Sequence, residues 1–268
     1  MRLSCGQCIG CRLERSRQWA IRCVHEASLY KRNCFVTLTY ADEFVPVGGS
    51  LEHRHFQLFM KRLRSKYAAD RPRFYMCGEY GEENLRPHYH ACLFNFDFPD
   101  KLYYRKGSDG SALYRSDSLD KLWGFGFCTV GAVTFESAAY CARYIMKKVN
   151  GDLAHSHYNH VDLVTGEVFN RVPEFTHMSL KPGIGAGWLG RFQSDVYPHG
   201  MVVSNAKEVR PPSYYDRKFK RADPVAWERI ALERVKYARE READSTPERL
   251  SVRRVITEAR VAQFKRVI

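Results

Sequence analysis

The chain has 268 residues, with 43 Lys and Arg against 30 Asp and Glu, and hence a formal net charge of +13. An apolar fraction of 44% can bury a core and excludes wholesale disorder. No apolar run approaches the ~18 residues of a membrane helix, and the charge surplus points to a polyanionic partner without saying which.

The first residues, MRLSCGQCIGCRLER, have no apolar stretch of the signal-peptide kind, so secretion is not indicated. Nine cysteines, odd in number and unevenly spaced, argue for a reducing compartment. The later ones lie inside apolar runs and read as small buried residues. Cys5, Cys8 and Cys11 stand apart from these, at the head of a helical pattern in which Trp19, Cys23 and Ala27 recur every four residues. Two readings stay open for the cluster. One is zinc, with Cys23 or His25 as fourth ligand; the other is reduced thiols packing the N-terminal turn. A ferredoxin-type run would need a fourth cysteine in the zone held by Glu14 and Arg15. Arg12, Arg15 and Arg17 suit DNA phosphate contacts, or equally a solvated helix face.

Four segments follow from the patterning: residues 1–30, a Cys-containing basic helix; 31–150, alternating strands and helices; 151–215, turn-rich; and 216–268, a charged helical tail. CFVTLTY (34–40) is β-branched and aromatic and reads as a strand. Residues 53–67 put Phe56, Phe59, Met60, Leu63 and Tyr67 on one helical stripe, with Lys61 and Arg62 on the polar side. RFYMCGEY (73–80) and PHYHACLFNF (87–96) read as a hairpin, and 127–135 as a further strand feeding a helix over 136–149. Lys181 to Gly187 is glycine-rich but lacks the Gly-Lys-Ser/Thr end of a phosphate-binding loop. His155, His157 and His160 read as surface residues.

His88 and His90 are two apart in a strand, so both imidazoles project from one face. If the hairpin pairs Glu79 with His88, the same register pairs Cys77 with His90, and the Glu79 carboxylate faces both histidines. Two imidazoles and a carboxylate leave coordination positions open, as a metal acting on a phosphate requires. Against this, Glu79 could merely pair with an arginine such as Arg86. On the following helix, taking 100° per residue, Tyr144 falls about 40° and Lys147 about 20° from Tyr140, with Lys148 at about 80°. Two phenols and a lysine then share one face, opposite a small-residue stripe that includes Ala138 and Ala142. Core aromatics with satisfied hydroxyls are the alternative; the neighbouring ammonium favours stabilised phenoxides. The parts together describe phosphodiester transesterification: tyrosine attack on a scissile phosphate, a 5′-phosphotyrosyl link and a free 3′-hydroxyl. Two tyrosines one turn apart permit two successive transfers.

The segments CGQCIGCRLERSRQWAIRCVHE (5–26), FVTLTY (35–40), GEYG (78–81), RPHYHACLFN (86–95), ESAAYCARYIMKK (136–148), PGIG (182–185) and PPSYYDR (211–217) resemble those of replication initiation proteins of gokushovirus-type microviruses. These are HUH-type, two-tyrosine rolling-circle endonucleases. The resemblance implies an α+β fold, a central antiparallel sheet flanked by helices. It implies a metal pair His88 and His90 carrying Mg²⁺ or Mn²⁺, and nucleophiles Tyr140 and Tyr144 helped by Lys147; Glu79 as third ligand rests on strand geometry alone. The substrate is then single-stranded or melted origin DNA, gripped by residues such as Arg12, Arg15, Arg17, Lys61, Arg62, Arg86 and Lys148, in the cytoplasm of a bacterial host. No helicase motif is present, so unwinding and synthesis fall to a host helicase and polymerase, with no membrane involved. An HUH transposase or relaxase, and a non-catalytic zinc-containing DNA-binding regulator using Cys5, Cys8, Cys11 and Cys23, are the rival readings.

Overall fold

The computed structural model describes residues 5–81, 84–107, 110–143, 148–149, 151–161 and 166–263. The chain enters through α1 (Ile9–Ala27) and passes into β1 (Asn33–Thr39), which buries Cys34, Val36 and Leu38 on one face. Next comes α2 (His53–Lys66), begun by the Glu52 carboxylate accepting from the Arg54 N–H at 2.9 Å. The hairpin follows as β2 (Arg73–Tyr80) and β3 (Pro87–Phe94). Then come β4 (Leu102–Lys106), β5 (Ala112–Arg115), α3 (Asp117–Trp123), β6 (Cys128–Gly131) and α4 (Phe135–Arg143).

Seven strands form one sheet in the order β4-β5-β6-β1-β3-β2, completed at the β2 edge by β9 (Phe175–Met178); every neighbouring pair is antiparallel. The α+β expectation with a central antiparallel sheet is met. Strand alternation then distributes the core between two faces. On one, Val36, Leu38, Met76, Tyr89, Ala91 and Leu93 meet the α2 stripe of Phe56, Phe59, Met60 and Leu63, with Trp123 of α3. On the other, Tyr75, Cys77, Cys92 and Phe94 meet Ala20 and Cys23 of α1 and Ala138, Cys141 and Ala142 of α4. The small side chains of α4 let it lie close against both the sheet and α1, where Ser16 Oγ donates to the Ala139 carbonyl at 3.0 Å.

Residues 151–215, turn-rich by composition, hold more order than that composition suggests. They contain α5 (Leu153–Tyr158), the short strands β7 (Asn159–Val161) and β8 (Val168–Asn170), β9, and α6 (Ala186–Val196), then the β10 (Val202–Ser204) and β11 (Lys207–Val209) hairpin. The charged tail is helical as expected: α7 (Ser213–Ala222), α8 (Pro224–Glu240) and α9 (Pro247–Gln263). A third apolar cluster joins Ile21 of α1 to Leu189, Val196, Tyr215, Phe219 and Ile230. Among the described residues no helix is long and apolar enough to cross a membrane.

The glycine-rich segment earns its composition here. Gly185 has φ +79°, and a Cβ on it would lie 2.4 Å from the Tyr215 hydroxyl, so backbone conformation and close packing both demand glycine. Glu26 of α1, 2% exposed, fastens this segment. Its carboxylate accepts from the Gly185 N–H at 2.7 Å and from Arg73 Nε at 2.7 Å, while Arg22 Nε donates to the Ile184 carbonyl at 3.0 Å. Breaking a buried pair by removing one partner strands the other. Glu26→Ala is therefore expected to cost about 3 kcal/mol, the lower end of that class because Arg73 keeps some solvent access. Urea denaturation measures it, and a loss below about 1 kcal/mol would show that the latch carries little.

Candidate active site

Strand parity puts Glu79, His88 and His90 on the α1/α4 face. The observed register pairs Glu79 with His88 and Cys77 with His90, as the hairpin pattern predicts. Glu79 is fully buried, and His88 Nε2 and His90 Nε2 both stand 2.8 Å from its Oε1. Burial would raise the Glu79 pKa, but hydrogen bonds and charge from both imidazoles outweigh it and pull the carboxyl down to about 2. Arg86 is not its partner: that guanidinium donates to the Tyr40 carbonyl and pairs with Asp42.

Each imidazole is held from behind. His88 Nδ1 lies 3.0 Å from the Arg86 carbonyl, which can only accept, so Nδ1 carries the proton and Nε2 presents its lone pair. His90 Nδ1 meets Thr37 Oγ1 at 3.0 Å, and its ring stacks on Phe35. Thr37 was not singled out from sequence; its signal is the β1–β3 register, which sets it opposite His90. A lone pair and a carboxylate oxygen at 2.8 Å repel unless a proton or a cation lies between them. The ligand atoms of Glu79, His88 and His90 lie within 4.8 Å of one another. The donor set, each histidine oriented through its other nitrogen, fits a divalent cation.

Helix α4 brings Tyr140 to this cluster. The helix starts at a reciprocal cap: Thr134 Oγ1 accepts from the Ser137 N–H, and Ser137 Oγ accepts from the Thr134 N–H, at 3.1 and 2.8 Å. That cap ends the strand run at Gly131, short of the 127–135 expected. The half-buried Tyr140 directs its hydroxyl at Glu79 Oε1, 3.4 Å away, and sets its ring edge-on to His90. Tyr144 and Lys147 lie outside the described residues; Lys148, just beyond, is half-buried.

The sequence-predicted basic residues are placed differently. Arg17 is held by Glu14 and the Arg210 carbonyl. Arg62 donates to the Leu122 and Trp123 carbonyls at 2.7 and 2.8 Å and so closes the end of α3. Like Arg86, these two are engaged within the fold. Arg15 and Lys61 are exposed, and Arg12 is half-buried.

Cys5, Cys8 and Cys11 converge, with Cys5 Sγ 3.9 Å from Cys11 Sγ. Cys23 does not join them, which corrects the four-cysteine set. It is fully buried between α1, α4 and the sheet, and twelve helical residues past Cys11 amount to roughly 18 Å. His25 is equally removed: it stacks on Trp188, faces the Tyr215 hydroxyl at 3.1 Å, and burial pushes it down to about 4.

Comparison with known proteins adds an independent line. A family described as replication-associated protein, ORF2 type, matches residues 33–149. The replication-associated protein VP4 of Bdellovibrio phage phiMH2K is 35% identical over 231 residues, 83% of this chain and 69% of the relative. The replication-associated protein ORF2 of Spiroplasma virus 4 is 32% identical over 256 residues, 90% of this chain and 74% of the relative. The replication-associated protein ORF4 of Chlamydia phage 1 is 30% identical over 153 residues, 54% and 38%. No solved structure matches.

Because the Glu79 pKa is depressed on folding, the stabilisation it provides is complete above its unfolded value of 4.5 and drains away as the pH falls toward about 2. The stability gap between the wild type and Glu79→Gln should be roughly 3 kcal/mol at neutral pH and close progressively below the unfolded carboxyl value. Denaturant titrations at a series of pH values read it. A gap that stays constant down to the folded value would contradict the assignment.

Proposed function

The chain belongs to the replication-associated proteins of microviruses, and on that premise we propose that it opens and rejoins origin DNA through a tyrosyl phosphodiester. One observation carries this reading: the Tyr140 hydroxyl, Glu79 and two back-supported histidines meet on one sheet face.

His88 Nε2, His90 Nε2 and Glu79 Oε1 would hold a Mg²⁺ or Mn²⁺ ion, which when bound withdraws charge from a scissile phosphate. The residues do the rest. Glu79 orients the Tyr140 hydroxyl; a carboxylate held near 2 directs a proton without retaining it. Tyr140 Oη attacks the phosphorus in line, the bond to the 3′ oxygen breaks, and that oxygen leaves as the hydroxyl that primes synthesis. The phosphodiester survives as a 5′-phosphotyrosine, so the reverse reaction rejoins the strand. Tyr144 is the acceptor for a second transfer and Lys147 the cation beside the phenols. Arg12, Arg15, Lys61 and Lys148 contact flanking phosphates. The substrate is single-stranded or melted DNA in the cytoplasm of the bacterial host, with host helicase and polymerase extending the 3′ end.

Incubation with labelled single-stranded oligonucleotides tiling the phage genome, with Mn²⁺ or Mg²⁺, tests this. A covalent adduct should form, map by mass spectrometry to Tyr140 or Tyr144, and vanish only when both are phenylalanine. His88→Ala and His90→Ala should each slow adduct formation by roughly 100-fold or more. Tight DNA binding without adduct under either metal would leave a non-catalytic regulator instead.

A further inference from the structure

The strand-transfer chemistry makes no use of Cys5, Cys8 and Cys11. Packing accounts for the other six cysteines, all buried, but Cys5 and Cys8 are exposed and Cys11 only half-buried. Three thiols turned to solvent gain nothing as core residues, so the reading of thiols that pack the N-terminal turn does not hold.

Their geometry has a definite form. Gly6, at φ +74°, turns the chain so that Cys5 folds back over the first turn of α1. Cys8 occupies the N-cap position, yet its side chain makes no capping bond. Its backbone N–H instead donates to Cys5 Sγ at 3.2 Å, a contact that favours thiolate over thiol. All three sulfurs lie within 4.8 Å of one another, and Cys5 and Cys11 are 3.9 Å apart. Two thiolates on one tetrahedral zinc, each bonded at ~2.3 Å, sit about 3.8 Å apart. Thiolates of an iron–sulfur cluster bind separate irons and must stand wider. The separation therefore matches a single ion.

We propose that Cys5, Cys8 and Cys11 bind one zinc ion as three thiolates at the head of α1, with a fourth position open to water or another oxygen or nitrogen donor. Cys23 and His25 are too far to fill it. The net negative charge of such a centre has a cation near it, since Arg254 of α9 lies within Coulombic reach of Cys8. The ion would tie the entering turn to the helix that carries Arg12 and Arg15, and would take no part in strand transfer.

The full chain, expressed with zinc in the medium and purified without chelator, is assayed for metal by inductively coupled plasma mass spectrometry. Two variants accompany it: Cys5→Ser, Cys8→Ser, Cys11→Ser combined, and His88→Ala, His90→Ala combined. One zinc per chain is expected in the wild type and in the histidine variant, and none in the thiol variant. A wild type that takes up no stoichiometric zinc overturns the proposal, as does a thiol variant that retains it, or iron with labile sulfide in its place. Should the thiol variant not fold, cobalt titration of the wild type decides. Intense thiolate-to-cobalt charge-transfer absorption, scaled to three sulfurs, supports the site; weak bands of nitrogen and oxygen ligands alone sink it.

Discussion

A carboxylate without solvent access must be surrounded by donors, and Glu79 meets that constraint through strand register. With β2 and β3 paired as observed, its Oε1 receives both imidazoles. A slip of one residue would turn Glu79 into the α2 core and carry the histidines away from it. The register is held by apolar residues on both faces. Met76, Tyr89, Ala91 and Leu93 bury on one side, Tyr75, Cys77, Cys92 and Phe94 on the other. The hydrophobic pattern that builds the sheet and the polar cluster that occupies its end are thus one constraint.

Helix α1 makes the second connection. Ser16, Ala20 and Cys23 face α4 and the sheet, while Ile21 and His25 face α6 and α7. Arg22 lies between Trp19 and Tyr214, 3.9 and 4.1 Å from the ring centroids, and desolvation lowers its pKa. The tyrosine helix is thereby coupled to the C-terminal helices through one element packed on both sides. Several cations are used up in this internal work. Arg17, Arg22, Arg62, Arg73 and Arg86 all donate to acceptors within the fold, so the surplus of +13 overstates the charge free to meet a phosphate backbone.

What was legible in the sequence depended on periodicity. The hairpin strands, their register, the α2 stripe and the charged C-terminal helices all have long, regular patterns, and all are present. The β4–β5 hairpin was missed because β4 is exposed throughout and shows no buried face. The four residues of β9 are too few for a pattern, yet they pair with β2 and close the sheet edge. Helix α6 was hidden by Gly187 and Gly190, whose low helix propensity tertiary packing of Leu189 and Val196 overrides.

By itself the sequence determined directions: that His88 and His90 leave their strand on one side, that Glu79 can face them, and that Tyr140 stands opposite a stripe of small residues. Those follow from the fixed geometry of strand and helix, in which each side chain's bearing is set by its own backbone. Distances between elements were decided only by the tertiary structure. Packing of α4 through Ala138, Cys141 and Ala142 put the Tyr140 hydroxyl at Glu79, and β1 beside β3 put Thr37 behind His90. The same packing took Cys23 into the core and away from Cys5, Cys8 and Cys11, because a position on a helix says which way a thiol points and nothing of what will cover it.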